Sequence, residues 1–188
     1  MPSIERELLS MCRLKSFVVV AGMTFACSAQ AAPQSFYGKT LKISWNEARS
    51  QRVQGEGAFK SVSIPLSFTV YISTQGQLFK RLTSTTANGR ASGSKDRVGD
   101  GGSSADGAGA VTFQGNTLIS TANNHGLGRR IRITFDGGSS CSAEVLTGKT
   151  GGGVATVRST ATGKMIEFES VSAGPAACSV QMGNAFAN

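Results

Sequence analysis

Apolar and polar residues alternate with a period of two along most of this chain, and Gly-containing turns interrupt the pattern at short intervals. Leu66, Phe68, Val70 and Ile72 alternate with Ser67, Thr69, Tyr71 and Ser73, the mark of a strand with one face buried. Thr74-Gln75-Gly76-Gln77 supplies a turn and Leu78 to Thr85 returns, so 66–85 reads as a hairpin. A second hairpin runs from Val111-Thr112-Phe113 through Gln114-Gly115-Asn116 to Leu118–Ala122. Leu41, Ile43 and Trp45 form one apolar side, and Ile131, Ile133 and Phe135 another. Gly137 to Ser140 turns the chain into Cys141, Ala143 and Val145. Weaker strands follow at 154–159, 164–171 and 178–182. Only Asn46 to Val53 offers a helical turn or two.

About nine or ten short strands joined by hairpin-length turns predict an all-β chain. The expected fold is an antiparallel meander closing into a small β-sandwich or β-barrel, with one disulfide and a long Gly/Ser-rich loop. Parallel pairing would need long crossovers that the sequence does not provide. Glycine accounts for 24 of the 188 residues, nearly double the average of about 7%, which suits a turn-rich chain. Residues 87–109 carry no apolar period and are rich in Gly, Ser and Asp, so they are expected to form a flexible loop within one domain spanning 32–188.

Residues 1–31 read as a cleaved secretory signal. Arg13 and Lys15 precede an apolar run of about ten residues, Phe17 to Ala26, and Ala29-Gln30-Ala31 supplies small residues at the −3 and −1 positions. That run is too short to span a bilayer, which takes about 20 residues, and no transmembrane helix is expected in the mature chain. Glu5 and Glu7 are out of place in a basic leader. Translation beginning at Met11 would give a purely basic one, and a long signal starting at Met1 is the alternative. Cleavage after Ala31 removes Cys12 and Cys27 and leaves Cys141 and Cys178. A lone even pair in an exported chain predicts a structural disulfide.

Several sequence matches lack the context their chemistry needs. Ala143 to Thr150 fits a relaxed phosphate-loop pattern, but that mechanism needs a helix N-terminus after the loop, and Gly151-Gly152-Gly153 follows instead. Ser92-Gly93-Ser94-Lys95 with Lys149-Thr150-Gly151 mimics part of a serine-enzyme signature without its helix. Asp96, Asp100 and Asp106 lack calcium-loop spacing. The single histidine, His125, sits in a turn-forming Asn-Asn-His-Gly cluster and reads as an exposed loop residue. Trp45 reads as a core anchor. No catalytic set, metal site or cofactor is expected.

Charge is the property that points outward. The whole chain carries a formal net charge of +8. Removing 1–31 takes away Arg6, Arg13, Lys15, Glu5 and Glu7, which leaves +7. Arg130 and Arg132 face outward together on the strand reading, and Lys42, Arg129 and Lys80 are candidates to extend an anion-binding face. Such a face attracts polyanions, while exposed aromatics for base stacking are scarce, so sequence-specific nucleic-acid binding is not expected.

The expectation is an exported, non-enzymatic protein, secreted or periplasmic. It would serve as a cell-envelope binding or structural module for anionic polymers such as lipopolysaccharide or peptidoglycan, or for a protein partner. A small outer-membrane β-barrel and an inhibitor of a secreted hydrolase are the other readings.

Overall fold

The computed structural model describes residues 31–85, 91–98, 110–124, 126–159 and 162–186. Eleven antiparallel strands make up the described residues: β1 Lys39–Val53, β2 Lys60–Ile72, β3 Leu78–Thr85, β4 Ala91–Val98, β5 Ala110–Gln114, β6 Thr117–Asn124, β7 Leu127–Phe135, β8 Cys141–Lys149, β9 Ala155–Arg158, β10 Met165–Ala173 and β11 Ala177–Met182. A single 3₁₀ turn, Gln34–Phe36, precedes them. Among the described residues no helix is long and apolar enough to cross a membrane.

The strands form two sheets. In the larger, seven-stranded sheet the order is β4-β3-β2-β1-β10-β9, with β11 also paired to β1; the smaller sheet runs β5-β6-β7-β8. The larger sheet curls into a half-barrel, and the two sheets share one apolar core.

β1 organises the larger sheet. Its 15 residues pair with β2 on one side from Lys39↔Ile72 to Gln51↔Lys60. On the other side β11 takes Lys39 to Ser44 and β10 takes Glu47 to Val53. The gap between those partners is Gly174-Pro175-Ala176. Proline cannot donate to a ladder, so the neighbour of β1 breaks there. Gly174 bridges the break by donating its N–H to the Asn46 carbonyl at 2.8 Å. A Cβ on Gly174 would stand 3.2 Å from that oxygen. Pro65 lies opposite Asn46 on the β2 side, one residue beyond the end of the β3 ladder at Leu66. The β1–β2 register runs through this point unbroken, and on the β10 side a bulge follows at Ser50/Gln51.

The segment 46–53, expected to hold a helical turn, is therefore strand. Its weak local pattern yields to two ladders that use every residue's backbone, a tertiary effect that overrides propensity. The expected loop at 87–109 differs in the same way. Residues 91–98 form β4 and pair with β3, since an open sheet edge can recruit backbone groups without an apolar period. The remainder of that loop, 87–90 and 99–109, lies outside the described residues, as does His125.

Side-chain parity builds the core. Leu41, Ile43 and Trp45 of β1 and Leu66, Phe68, Val70 and Ile72 of β2 point inward, opposite Val111, Phe113, Leu118, Ile131, Ile133, Phe135 and Val145 of the smaller sheet. Phe36 plugs one end, fully buried, with ring centroids 5.5 Å from Phe113 and 5.0 Å from Phe135. A smaller cluster gathers Ala155, Phe168 and Val171 under Leu127, Val157 and Ile166. The outward residues are mostly polar: Lys42, Ser44 and Asn46 on β1, and Thr112, Thr121, Arg130, Arg132 and Thr134 on the smaller sheet are exposed.

Cys141 at the start of β8 and Cys178 on β11 form the expected disulfide, with Cα atoms 5.7 Å apart. It joins the edge of the smaller sheet to the larger one and closes a loop of 37 residues. In the chain-entropy account such a loop contributes roughly 3–4 kcal/mol. Replacing both cysteines by serine is expected to lower the unfolding free energy by about that amount with an unchanged far-ultraviolet circular dichroism spectrum. Urea titration of the two forms measures the difference. Equal midpoints would show that the bridge adds nothing to the packing.

Candidate anion-binding surface

The five basic residues singled out in the sequence do not share one face. β1 alternates with Leu41, Ile43, Trp45 and Glu47 buried, so Lys42 projects from the outside of the larger sheet. β7 alternates with Ile131, Ile133 and Phe135 buried, so Arg130 and Arg132 project from the outside of the smaller sheet. The core separates Lys42 from that pair. Lys80 is fully buried. It occupies the inward slot between Leu78 and Leu82, opposite Val70 in β2 and Asp96 in β4, and has no surface to offer a polymer.

Arg129 is also turned inward, where it meets a residue the sequence reading did not single out. Glu47 is the next inward position on β1 after Trp45, and its side chain is completely buried. One of its carboxylate oxygens accepts from Arg49 Nε at 2.8 Å and lies 2.7 Å from that residue's terminal nitrogen. The other accepts from Arg129 at 2.9 Å. Each guanidinium also lies near an aromatic ring: Arg129 is 5.8 Å from the Trp45 centroid and Arg49 is 5.5 Å from Phe168. This triad fills the junction between the main core and the smaller cluster and ties β1 to β7 across the two sheets. A signal for it exists in the sequence: Glu47 and Arg129 are opposite charges, each in the inward slot of an otherwise apolar alternation.

Burial alone pushes the Glu47 carboxyl pKa up. The charges of Arg129 and then Arg49, with their hydrogen bonds, outweigh it, and the group is held below the ordinary value. Arg129 and Arg49 are therefore structural cations, and neither belongs to an exposed basic face.

What remains is the outer face of the smaller sheet. The β7–β8 register sets Arg132 opposite Glu144, Arg130 opposite Leu146 and Gly128 opposite Gly148. β6 continues these rows with Ile119, Thr121 and Asn123. Neither Arg130 nor Arg132 makes a hydrogen bond or ion pair among the described residues. A pit of about 40 Å³ lies between Arg130, Arg132, Glu144 and Leu146. Beside it is an open hollow of about 420 Å³ along Asn123, Gly128, Arg130, Leu146, Gly148 and Thr150. Its described lining comes from β6, β7, β8 and the turn after β8, and exposed Arg130 and Leu146 place it on the outer face. Leu146 is 55% exposed there.

The phosphate-loop match at 143–150 falls mostly within β8, whose backbone is committed to the β7 ladder, and a non-helical turn follows it. Among the described residues no group of three or more His, Cys, Asp and Glu side chains could hold a metal ion. No protein-family model, curated protein or solved structure matches the chain.

The triad generates a pH prediction. Because the Glu47 pKa is lower folded than unfolded, unfolding takes up a proton in acid. Its stabilising contribution is complete above the ordinary carboxyl value of 4.5 and is lost as the pH falls through the lower folded value. Glu47→Gln leaves two buried guanidinium groups without a carboxylate and is expected to cost about 3–5 kcal/mol at neutral pH. The wild-type protein should lose stability on acidification below 4.5 more steeply than this variant. Thermal melts of both across the acid range measure that difference, and parallel curves would remove Glu47 as the cause.

Proposed function

We propose that this chain is a non-enzymatic, exported binding module that holds an anionic envelope polymer on the outer face of its smaller sheet. The observation that carries the reading is the pairing state of the arginines. Inward-facing Arg49 and Arg129 are each ion-paired with Glu47, whereas Arg130 and Arg132, two residues apart on the same outer face, have no ion-pair partner among the described residues. Arginine presents a planar fork suited to carboxylate and phosphate. Side chains at i and i+2 of a strand stand roughly 7 Å apart, a spacing that suits repeated charges along an extended polymer. Glu144 opposes Arg132 in the register, so Arg130 carries the uncompensated charge and is the primary contact.

Two further features support this setting. A disulfide-closed fold suits an oxidising compartment, in keeping with the signal-like sequence at 1–31. Polar outward faces over an apolar interior favour a protein in water over a barrel whose outer band meets lipid.

The test is retention of residues 32–188 on lipopolysaccharide and on peptidoglycan, each at low and high salt. Saturable binding that weakens with salt is expected for one of them, and Arg130→Ala/Arg132→Ala should reduce it on the order of tenfold, since exposed charge pairs contribute modestly. Lys42→Ala should change it little. Absence of retention by either material at low salt would overturn the polymer reading.

A further inference from the structure

The hollow beside Arg130 has a floor that the fold itself does not explain. Gly128 and Gly148 face each other across β7 and β8, and neither has the positive φ that requires glycine. Gly128 has an internal reason: a Cβ there would come within 2.5 Å of Thr150 Cγ2, so its bareness lets the chain after β8 fold back over β7. The Thr150 N–H then reaches the Gly126 carbonyl at 2.9 Å. Gly148 has no such reason. A Cβ built on it meets nothing within 4 Å, so any strand-forming residue would fit. Glycine inside a strand weakens the strand and often marks a place where something approaches the backbone closely. Among the described residues nothing makes that approach at Gly148, and its bare backbone lies open in the hollow.

We infer that the Gly148 hollow is a subsite for one acidic sugar unit of the bound polymer, with Arg130 taking its carboxylate or phosphate. This rests on the polymer-binding reading above and gives it a position and a chemistry. The hollow is a shallow depression rather than a cleft. It is open-sided, so a ring held there can belong to a longer chain. The bare backbone at Gly148 admits the flat face of a pyranose, and exposed Leu146 offers an apolar wall for its C–H groups. Arg130, in the adjacent row and opposite Leu146, supplies the charge at the rim, while Asn123 and Thr150 supply polar groups for ring hydroxyls. Arg132 lies one row further along the strand, next to Glu144, and contacts the neighbouring unit.

The test measures binding of residues 32–188 to polygalacturonate, which carries carboxylates, to lipopolysaccharide, which carries phosphates, and to neutral dextran. Binding to one or both acidic polymers and none to dextran is expected, and the two acidic arms identify the anion. Gly148→Leu should raise Kd at least tenfold without lowering Tm, because its Cβ meets nothing within 4 Å and the rest of the side chain extends into the hollow. Gly148→Val, a better strand former, provides the same block if Leu lowers Tm. Unchanged Kd in these variants, with binding still lost in Arg130→Ala/Arg132→Ala, would overturn the subsite and leave the arginine face standing. No binding of the wild-type protein to either acidic polymer would overturn the subsite, and the arginine face would then stand or fall with retention on lipopolysaccharide and peptidoglycan.

Discussion

The continuous pairing of β1 is the constraint from which the rest of the architecture follows. One strand of 15 residues is hydrogen-bonded along both edges, and its two halves have different partners on one side. The first half, against β11, carries the apolar side chains that meet the smaller sheet. The second half, against β10, leads into the smaller cluster around Phe168 and Val171. The change of partner is forced at Gly174-Pro175, where the ladder lacks a donor, while on the opposite side the pairing with β2 runs on through Pro65. Curling the larger sheet at this point brings β11 beside β8, where the disulfide can form. It also leaves the junction of the two cores to be filled by whatever β1 presents next in its inward register.

What β1 presents there is Glu47, and a buried carboxylate is an expensive filler unless it is fully satisfied. Arg49 and Arg129 satisfy it, one from its own strand and one from the opposite sheet. Buried ion pairs seldom stabilise a fold more than well-packed apolar residues of the same volume would, so the triad's contribution is better sought in specificity. Shifting β1 by one residue relative to the core would carry Glu47 to the outer face along with every apolar neighbour. It would leave Arg129 inside the smaller sheet without its carboxylate. The triad thus penalises wrong registers more heavily than it rewards the right one, and it acts across sheets, where no backbone ladder sets the alignment.

Much of this was legible in the sequence because a period of two is local. The inward faces of β2, β5 and β7, the burial of Trp45, the hairpins at 66–85 and 111–122 and the cysteine pair all follow from residues close together in the chain. Lys80 and Arg129 show where charge misleads the reading. Each has the parity of its apolar neighbours, Leu78 and Leu82 in one strand and Ile131 and Ile133 in the other, and parity sets the side on which each lies. Basic character had suggested the opposite side. Non-local features were beyond a local pattern: that β1 borders both β10 and β11, that β4 recruits 91–98 to an open edge, and that Lys42 lies across the core from Arg130. The facing glycines occupy an intermediate case. They are equidistant from the turn at 136–140, so the hairpin register alone pairs them, but the emptiness above Gly148 depends on the path of the chain after β8.

Arg129, Arg130 and Arg132 are chemically identical side chains within four consecutive residues of one strand, and the pleat gives them different roles. The inward one has a carboxylate and an aromatic ring, and it serves the fold. The outward ones have water. Of these, Arg132 stands opposite an acid and Arg130 opposite an exposed leucine beside a glycine whose missing side chain helps no internal contact. A surface shaped only for solubility would gain strand stability from almost any residue in place of that glycine, and would have no reason to set bare backbone, an apolar edge and an uncompensated guanidinium together. Those three properties are the ones the proposed acidic-sugar subsite draws on, and their coincidence on one side of β7–β8 distinguishes this face from the outer face of the larger sheet, where Lys42 stands opposite Thr69 and Ser179.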